Sequence, residues 1–243
     1  MNPESMKPHG LALLDYFNGD YSARIAIHRD DGYTDYVPIS TFFREPSDFS
    51  QIEQTALDLC RGSVLDVGAG AGPDSLALQE RGLSVCAIDI SPEACEIMRI
   101  RGIREVYCTD MYDFSGGPFD TILMLCHGLG LLEDISGLDR FLEYAHRLAK
   151  SDGQIICDSL DVRYTGNPLH LAYQQANRDA GRYFGEMRSQ MEYKGKTWPL
   201  WKWLHVDPEM LTSKARRAGW SCEIVLQEDR GDYLARLTPK CAK

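Results

Sequence analysis

The chain has 243 residues, with 26 Lys and Arg against 36 Asp and Glu, for a net charge of −10. That acidity argues against sequence-independent binding to a nucleic-acid backbone, which needs clustered cations. No apolar run approaches the roughly 20 residues that cross a bilayer. Eight cysteines, at positions 60, 86, 95, 108, 126, 157, 222 and 241, form no C-x-x-C pair. Neither a disulfide framework nor a Cys-rich zinc site is therefore expected. Met1 to Gly10 lack the charged and apolar regions of a signal peptide, so the expected compartment is the cytoplasm, with no membrane partner.

Residues 1–60 hold a helical start, a polar turn at Arg29-Asp30-Asp31-Gly32 and the aromatic-rich run Tyr33 to Arg44. From residue 62 to 159, short apolar runs alternate with helical patterns. Ser63 to Val67 reads as a buried strand ending in a glycine cluster, and a helix opens at Pro73 and stops before Gly82. Leu83 to Ile90 is the next strand. Ser91-Pro92-Glu93 opens a second helix, with Ser as N-cap, that ends near Gly102. Strands follow at about Glu105 to Cys108 and at Phe119 to Cys126. Leu138, Phe141, Leu142, Ala145 and Leu148 mark one helical face, and Gln154 to Ser159 is a fifth strand. Such alternation makes a parallel sheet with right-handed crossovers.

Residues 160–206 are long for a connection. Leu169 to Ala180 has helical character, and Arg182 to Tyr193 and Thr197 to Val206 are expected to pair about Lys194-Gly195-Lys196. Asp207-Pro208-Glu209 then caps a helix closing at Gly219, and Trp220 to Gln227 and Tyr233 to Leu237 flank a polar turn. Strands joined so tightly are antiparallel neighbours. The expected fold is α/β, a doubly wound, mostly parallel seven-stranded sheet with an antiparallel last strand. An N-terminal cover (1–60) precedes the sheet domain (61–243), which carries an insertion (160–206). Both extra pieces are expected to cover the sheet's ligand-binding edge.

The most informative stretch is Asp66-Val67-Gly68-Ala69-Gly70-Ala71-Gly72-Pro73. A strand ending in a glycine loop before a helix brings backbone close to a ligand. A dinucleotide fingerprint starting at Gly68 would need glycine at position 73, where Pro stands. The acidic residue two positions before the first glycine repels a pyrophosphate and suits a ligand carrying an ammonium or sulfonium. This charge logic favours S-adenosylmethionine over a nicotinamide cofactor.

Here the sequence resembles the class I S-adenosylmethionine-dependent methyltransferases, over roughly residues 60–238. The resemblance implies the family's Rossmann-like fold. It implies that Asp66, Gly68, Gly70 and Gly72 wrap the amino-acid end of the cofactor. Asp89, closing its strand 19 residues after Gly70, would take the ribose hydroxyls, with Ile90 beside it. Asp110 is implied at the adenine amino group and Met111 on the ring, while Cys126 ends the strand that passes the reacting methyl. Each admits a plainer reading as well: Asp66 and Asp89 as caps, Asp110 as a solvated loop residue, Met111 as core.

His127, directly after that strand, is the candidate catalytic base, since imidazole takes a phenol, hydroxyl or thiol proton near neutral pH. A structural His bonding backbone in the Cys126–Leu131 turn is the alternative. Cys126-His127-Gly128-Leu129 departs from the Asn/Asp-Pro-Pro-aromatic pattern of relatives that methylate nucleic-acid amines. No DNA partner is expected, and a small-molecule acceptor is. Cys126 does not supply the carboxylate with which catechol-type relatives hold Mg²⁺, and no metal is expected, although Asp158 and Asp161 sit near the fifth strand's end. Acceptor contacts are sought among Tyr36, Arg44, Arg163 and Trp201, aromatic and cationic residues of the two covering pieces. Surface charge or core packing is the plainer role for these. A cofactor-binding protein without methylating activity, and a methyltransferase acting on RNA or protein, are the alternative functions.

Overall fold

The computed structural model describes residues 2–240; Met1 and residues 241–243, Cys241 among them, lie outside that range. In chain order it begins with α1 (Pro3–Phe17), β1 (Arg24–Arg29), β2 (Thr34–Pro38), α2 (Gln51–Leu59) and β3 (Ser63–Val67). Next come α3 (Pro73–Glu80), β4 (Ser84–Asp89), α4 (Pro92–Ile100), β5 (Glu105–Cys108), β6 (Phe119–Met124), α5 (Ile135–Leu148) and β7 (Ala149–Leu160). The remainder is α6 (Pro168–Asp179), β8 (Glu186–Tyr193), β9 (Lys196–Thr197), β10 (Trp201–Leu204), α7 (Pro208–Arg217), β11 (Trp220–Gln227) and β12 (Asp232–Pro239). Among the described residues, no helix is long and apolar enough to cross a membrane.

Seven strands form one sheet in the order β11-β12-β7-β6-β3-β4-β5. β4–β5 and β6–β7 pair in parallel, while β12 runs antiparallel to both β7 and β11. The doubly wound, mostly parallel sheet with an antiparallel last strand is thus the observed fold. From β3 the order runs outward to β5 one way and to β7 the other. Open α/β sheets take ligands at such a reversal, beyond the strands' carboxyl ends.

The chain clusters into two compact units interleaved in sequence. One holds residues through Leu57, Leu65–Phe114 and Arg188–Trp201; the other holds Asp58–Val64, Ser115–Met187 and residues from Lys202 on. Within the first unit, α4 begins where the Ser91 hydroxyl accepts the Ala94 N–H, and its Ala94, Cys95, Ile97 and Met98 are buried. Within the second, α5 buries Leu138, Phe141, Leu142, Ala145 and Leu148, the face its spacing predicts. Trp220 is fully buried there, its indole N–H donating to the Leu142 carbonyl at 2.8 Å.

A second, antiparallel sheet was not foreseen. β1 pairs on one side with β2 and on the other with β8, aligning Ala26 with Tyr36 and with Glu192. Strands from the N-terminal piece and the insertion therefore share a sheet. The expected hairpin around Lys194-Gly195 is present as β8 and β9, but its second strand breaks at residues 198–200, where Pro199 has no N–H to give. β10 ends at Leu204, so His205 lies beyond the strand face expected to carry Trp201, Trp203 and His205. The fifth strand expected at Gln154 starts at Ala149 instead, because α5 passes into β7 without a loop. α2 was not anticipated; it buries Ile52, Ala56 and Leu57.

Candidate active site

In the first unit, the loop after β3 carries Gly68, Gly70 and Gly72 at φ of +74°, +57° and +77°. Only glycine adopts this left-handed region without strain. The N–H groups of Gly68 and Ala69 donate to the Ile88 carbonyl at 2.9 and 3.2 Å. A Cβ at Gly72 would meet Ile103 Cδ1 at 2.2 Å, whereas one at Gly70 would meet no protein atom within 4 Å. Gly72 is thus demanded by packing, whereas the space beside Gly70 is open. The Ala71 carbonyl accepts Arg101 Nη1–H at 2.7 Å, and the Arg101 guanidinium lies 5.5 Å from the centre of the Phe43 ring.

Asp89 takes the Gly70 N–H on Oδ2 at 2.9 Å and the Ser91 N–H on Oδ1 at 2.8 Å. Each oxygen retains a lone pair for a further donor. Asp66 is buried and accepts the Ser75 hydroxyl at 2.6 Å. Burial, opposed by the Ser75 hydrogen bond and reinforced by the Asp89 charge, pushes the Asp66 carboxyl up to about 6. Burial also raises Asp89, against the backbone N–H groups of Ser91, Gly70 and Ile90. Two carboxylates that burial raises, beside a glycine loop, suit a ligand bringing positive charge and hydroxyl donors. Asp110 is half-buried and accepts the Tyr112 N–H at 2.9 Å, while Met111 is buried and Ile90 half-buried.

The acceptor candidates of this unit are placed differently. Tyr36 is exposed on β2 with the Arg24 guanidinium 5.0 Å from its ring centre. Arg44 grips both oxygens of the buried Glu53 and donates from Nε to the Thr41 carbonyl. Trp201 is buried. To bind an acceptor carboxylate, Arg44 would have to exchange a partner it already holds.

In the second unit, the turn just beyond β6 holds Cys126 and His127 at φ of +62° and +56°. Two consecutive left-handed residues other than glycine are held against their own sterics. The buried Asp158 on β7 supplies the hold, accepting the N–H groups of His127 at 3.0 Å and Gly128 at 3.1 Å. The turn presents His127, whose Nε2 lies 2.7 Å from Asp232 Oδ1. Asp232 is set in place by its neighbour: the fully buried Tyr233 donates its hydroxyl to the Val206 carbonyl at 2.7 Å. Burial works against charging His127, but the Asp232 hydrogen bond and the charges of Asp158 and Asp232 outweigh it and raise the imidazole above its usual range. The His205 ring meets that of His127 edge to face at 5.5 Å, and burial, then the His127 charge, lowers His205 to about 3.

Arg163, also in this unit, pairs with Asp161 at 2.8 and 2.6 Å and with Glu209 at 2.6 Å, which raises it further. Cys126 is exposed beside His127. Among the described residues, no cluster of His, Cys, Asp or Glu is positioned to hold a metal ion. The sequence reading missed Asp232 as a partner and weighed Asp158 only as a metal ligand. A polar side chain inside the apolar run of β7 was the signal for Asp158; nothing near Asp232 in sequence pointed to His127.

Residues 43–220 match the family described as a methyltransferase domain. The chain is 32% identical to an S-adenosylmethionine-dependent methyltransferase of Bacteroides fragilis, solved with S-adenosyl-L-homocysteine. That likeness covers 99% of this chain and 98% of the other, with a TM-score of 0.85. It is 33% identical over 117 residues to the demethylmenaquinone methyltransferase of Tropheryma whipplei, covering 45% of this chain and 47% of that protein. The ubiquinone biosynthesis O-methyltransferase of Pseudomonas paraeruginosa is 28% identical over 107 residues, 41% of this chain and 44% of its own length. The chain thus spans about half the length of these curated relatives.

Proposed function

Because the chain belongs to the methyltransferase domain family, of the class I S-adenosylmethionine-dependent kind, we propose that it methylates a small-molecule acceptor with S-adenosylmethionine as donor. One observation carries the reading. Asp89 closes a loop of left-handed glycines onto the start of α4, beside the buried Asp66. The residues fit the cofactor: Gly70 leaves room for close approach, Asp66 and the loop would hold its amino-acid end, and Asp89 has lone pairs for ribose. Ile90, Asp110 and Met111 take the adenine side in this reading. When bound, the cofactor supplies an electrophilic methyl on a sulfonium, so the protein's work is alignment and proton removal.

His127 is the catalytic residue of this proposal and Cys126 flanks it, with acceptor contacts sought from Tyr36, Arg44, Arg163 and Trp201. A small-molecule acceptor is supported by the relatives named for menaquinone and ubiquinone chemistry, and a partner other than DNA by the net charge of −10. The buried thiols of Cys86, Cys95 and Cys157 fit a reducing compartment, which supports the cytoplasm. The test feeds the purified protein S-adenosylmethionine with a panel of hydroxyl, thiol and amine acceptors and measures S-adenosylhomocysteine. Acceptor-dependent release is expected; cofactor binding without release from any acceptor would leave a binding protein instead.

A further inference from the structure

We propose that Asp232 is a positioning residue that fixes the proton of His127 on Nε2, making Nδ1 the atom that takes a proton from a hydroxyl acceptor. The inference rests on the methyltransferase reading and deepens it by naming an atom, a partner and an acceptor class.

The geometry decides the tautomer. Asp232 Oδ1 lies 2.7 Å from Nε2 of His127. The hydrogen bond to His127 holds the Asp232 carboxyl below its usual range, so it is ionised and can only accept. Nε2 therefore carries the hydrogen, and in the neutral ring the lone pair is on Nδ1. No hydrogen bond from another described residue reaches Nδ1. The side chain is 34% exposed, so a small molecule can reach it.

The surroundings favour a base over a structural histidine. A structural role in the turn would spend a ring nitrogen on backbone, but here the turn is held by Asp158, which takes the N–H groups of His127 and Gly128. The ring is left to Asp232. Three titratable groups face it: Asp232 at the start of β12, Asp158 on β7 and His205 beyond β10. The two carboxylates favour the imidazolium that forms on proton uptake. His205, kept neutral by burial, adds no opposing charge and walls the ring edge to face.

This arrangement matches a hydroxyl acceptor. As the oxygen bonds to the methyl carbon, the carbon–sulfur bond breaks and its electron pair stays on sulfur. The hydroxyl proton passes to Nδ1, leaving an imidazolium paired with Asp232 and a neutral methyl ether. Without a base the product oxygen would bear a positive charge, whereas an uncharged amine can lose its proton afterwards. A fixed histidine–carboxylate pair is what the oxygen chemistry requires.

The test begins on the full chain without acceptor. Nitrogen-15 spectra of the histidine rings, assigned by the peak lost in His127→Gln, should show the Nε2–H tautomer and a titration midpoint above 6.5. Asp232→Asn should lower that midpoint by about one pH unit, and Asp232→Glu should restore part of it. An Nδ1–H tautomer, or a midpoint unmoved by Asp232→Asn, would overturn the proposal. In the release assay, phenols should outperform benzylamines, and the ascending limb of the pH–rate profile should move down with the Asp232→Asn midpoint. Release with amines alone, or a limb that ignores the midpoint, would also overturn it. A protein that shows the tautomer but binds no S-adenosylmethionine refutes the parent reading and takes the acceptor assignment with it.

Discussion

Asp89 and Gly70, 19 residues apart in sequence, meet through a 2.9 Å hydrogen bond from the glycine N–H to Oδ2. The other carboxylate oxygen holds the Ser91 N–H that precedes α4, so one side chain ties the glycine loop to a helix start. Its free lone pairs are the ones assigned to ribose. Asp89→Ala should therefore weaken S-adenosylmethionine binding by about 1–3 kcal/mol, the scale of charged hydrogen bonds. Calorimetric titration checks it, and unchanged affinity would remove Asp89 from the cofactor site.

The glycines separate packing from access. Gly72→Ala forces a Cβ to 2.2 Å from Ile103 Cδ1 at a left-handed φ, adding overpacking of about 1–3 kcal/mol to backbone strain. Gly70→Ala has the same kind of strain but no clash. Thermal unfolding should show the larger loss for Gly72→Ala. The Gly70 variant should lose more cofactor affinity than its stability change accounts for; a parallel loss of both would make Gly70 purely structural.

Asp66 sets a pH dependence of known sign. Its folded value of about 6 stands above the ordinary 3.8. The stability linked to its protonation is thus complete below 3.8 and is lost as pH rises through 6, about 3 kcal/mol in all. A cationic ligand reverses the balance by favouring the carboxylate. Between pH 4 and 6, S-adenosylmethionine affinity should rise with pH and binding should release protons, as measured in buffers of different ionisation enthalpy. Proton uptake in that window would contradict the assignment.

The same burial predicts the effect of Asp66→Asn. At pH 7.5 the amide removes a buried charge, keeps an acceptor for Ser75 and should raise the melting temperature of the unliganded protein by several degrees. It should also lose most of the stabilisation that S-adenosylmethionine confers on the native protein. A variant less stable than the parent without ligand would show that the Asp66 charge is structural.

Features carried by neighbouring residues were legible in the sequence. The strand–glycine loop–helix run, the caps at Ser91 and Asp207 and the α5 face each occupy one short window, where local sterics and periodicity decide the structure. β8 was visible as a hairpin strand whereas β1 was not marked, and their pairing of Ala26 with Glu192 is written in no window. His127 and Asp232 stand 105 residues apart, and only the antiparallel insertion of β12 beside β7 brings them together. Arg44 and Arg163 read as available cations because their carboxylate partners, Glu53 and Asp161, lie in buried positions that composition does not reveal.

The most direct measurement is calorimetric titration of the purified protein with S-adenosylmethionine and, separately, S-adenosylhomocysteine, on the parent and on Asp89→Ala. Saturable one-site binding of both ligands by the parent and weakened binding by the variant are expected. Binding of neither ligand by a folded parent protein would contradict the assigned cofactor, and with it the proposed reaction, while leaving the sheet order and the His127–Asp232 pair as they stand.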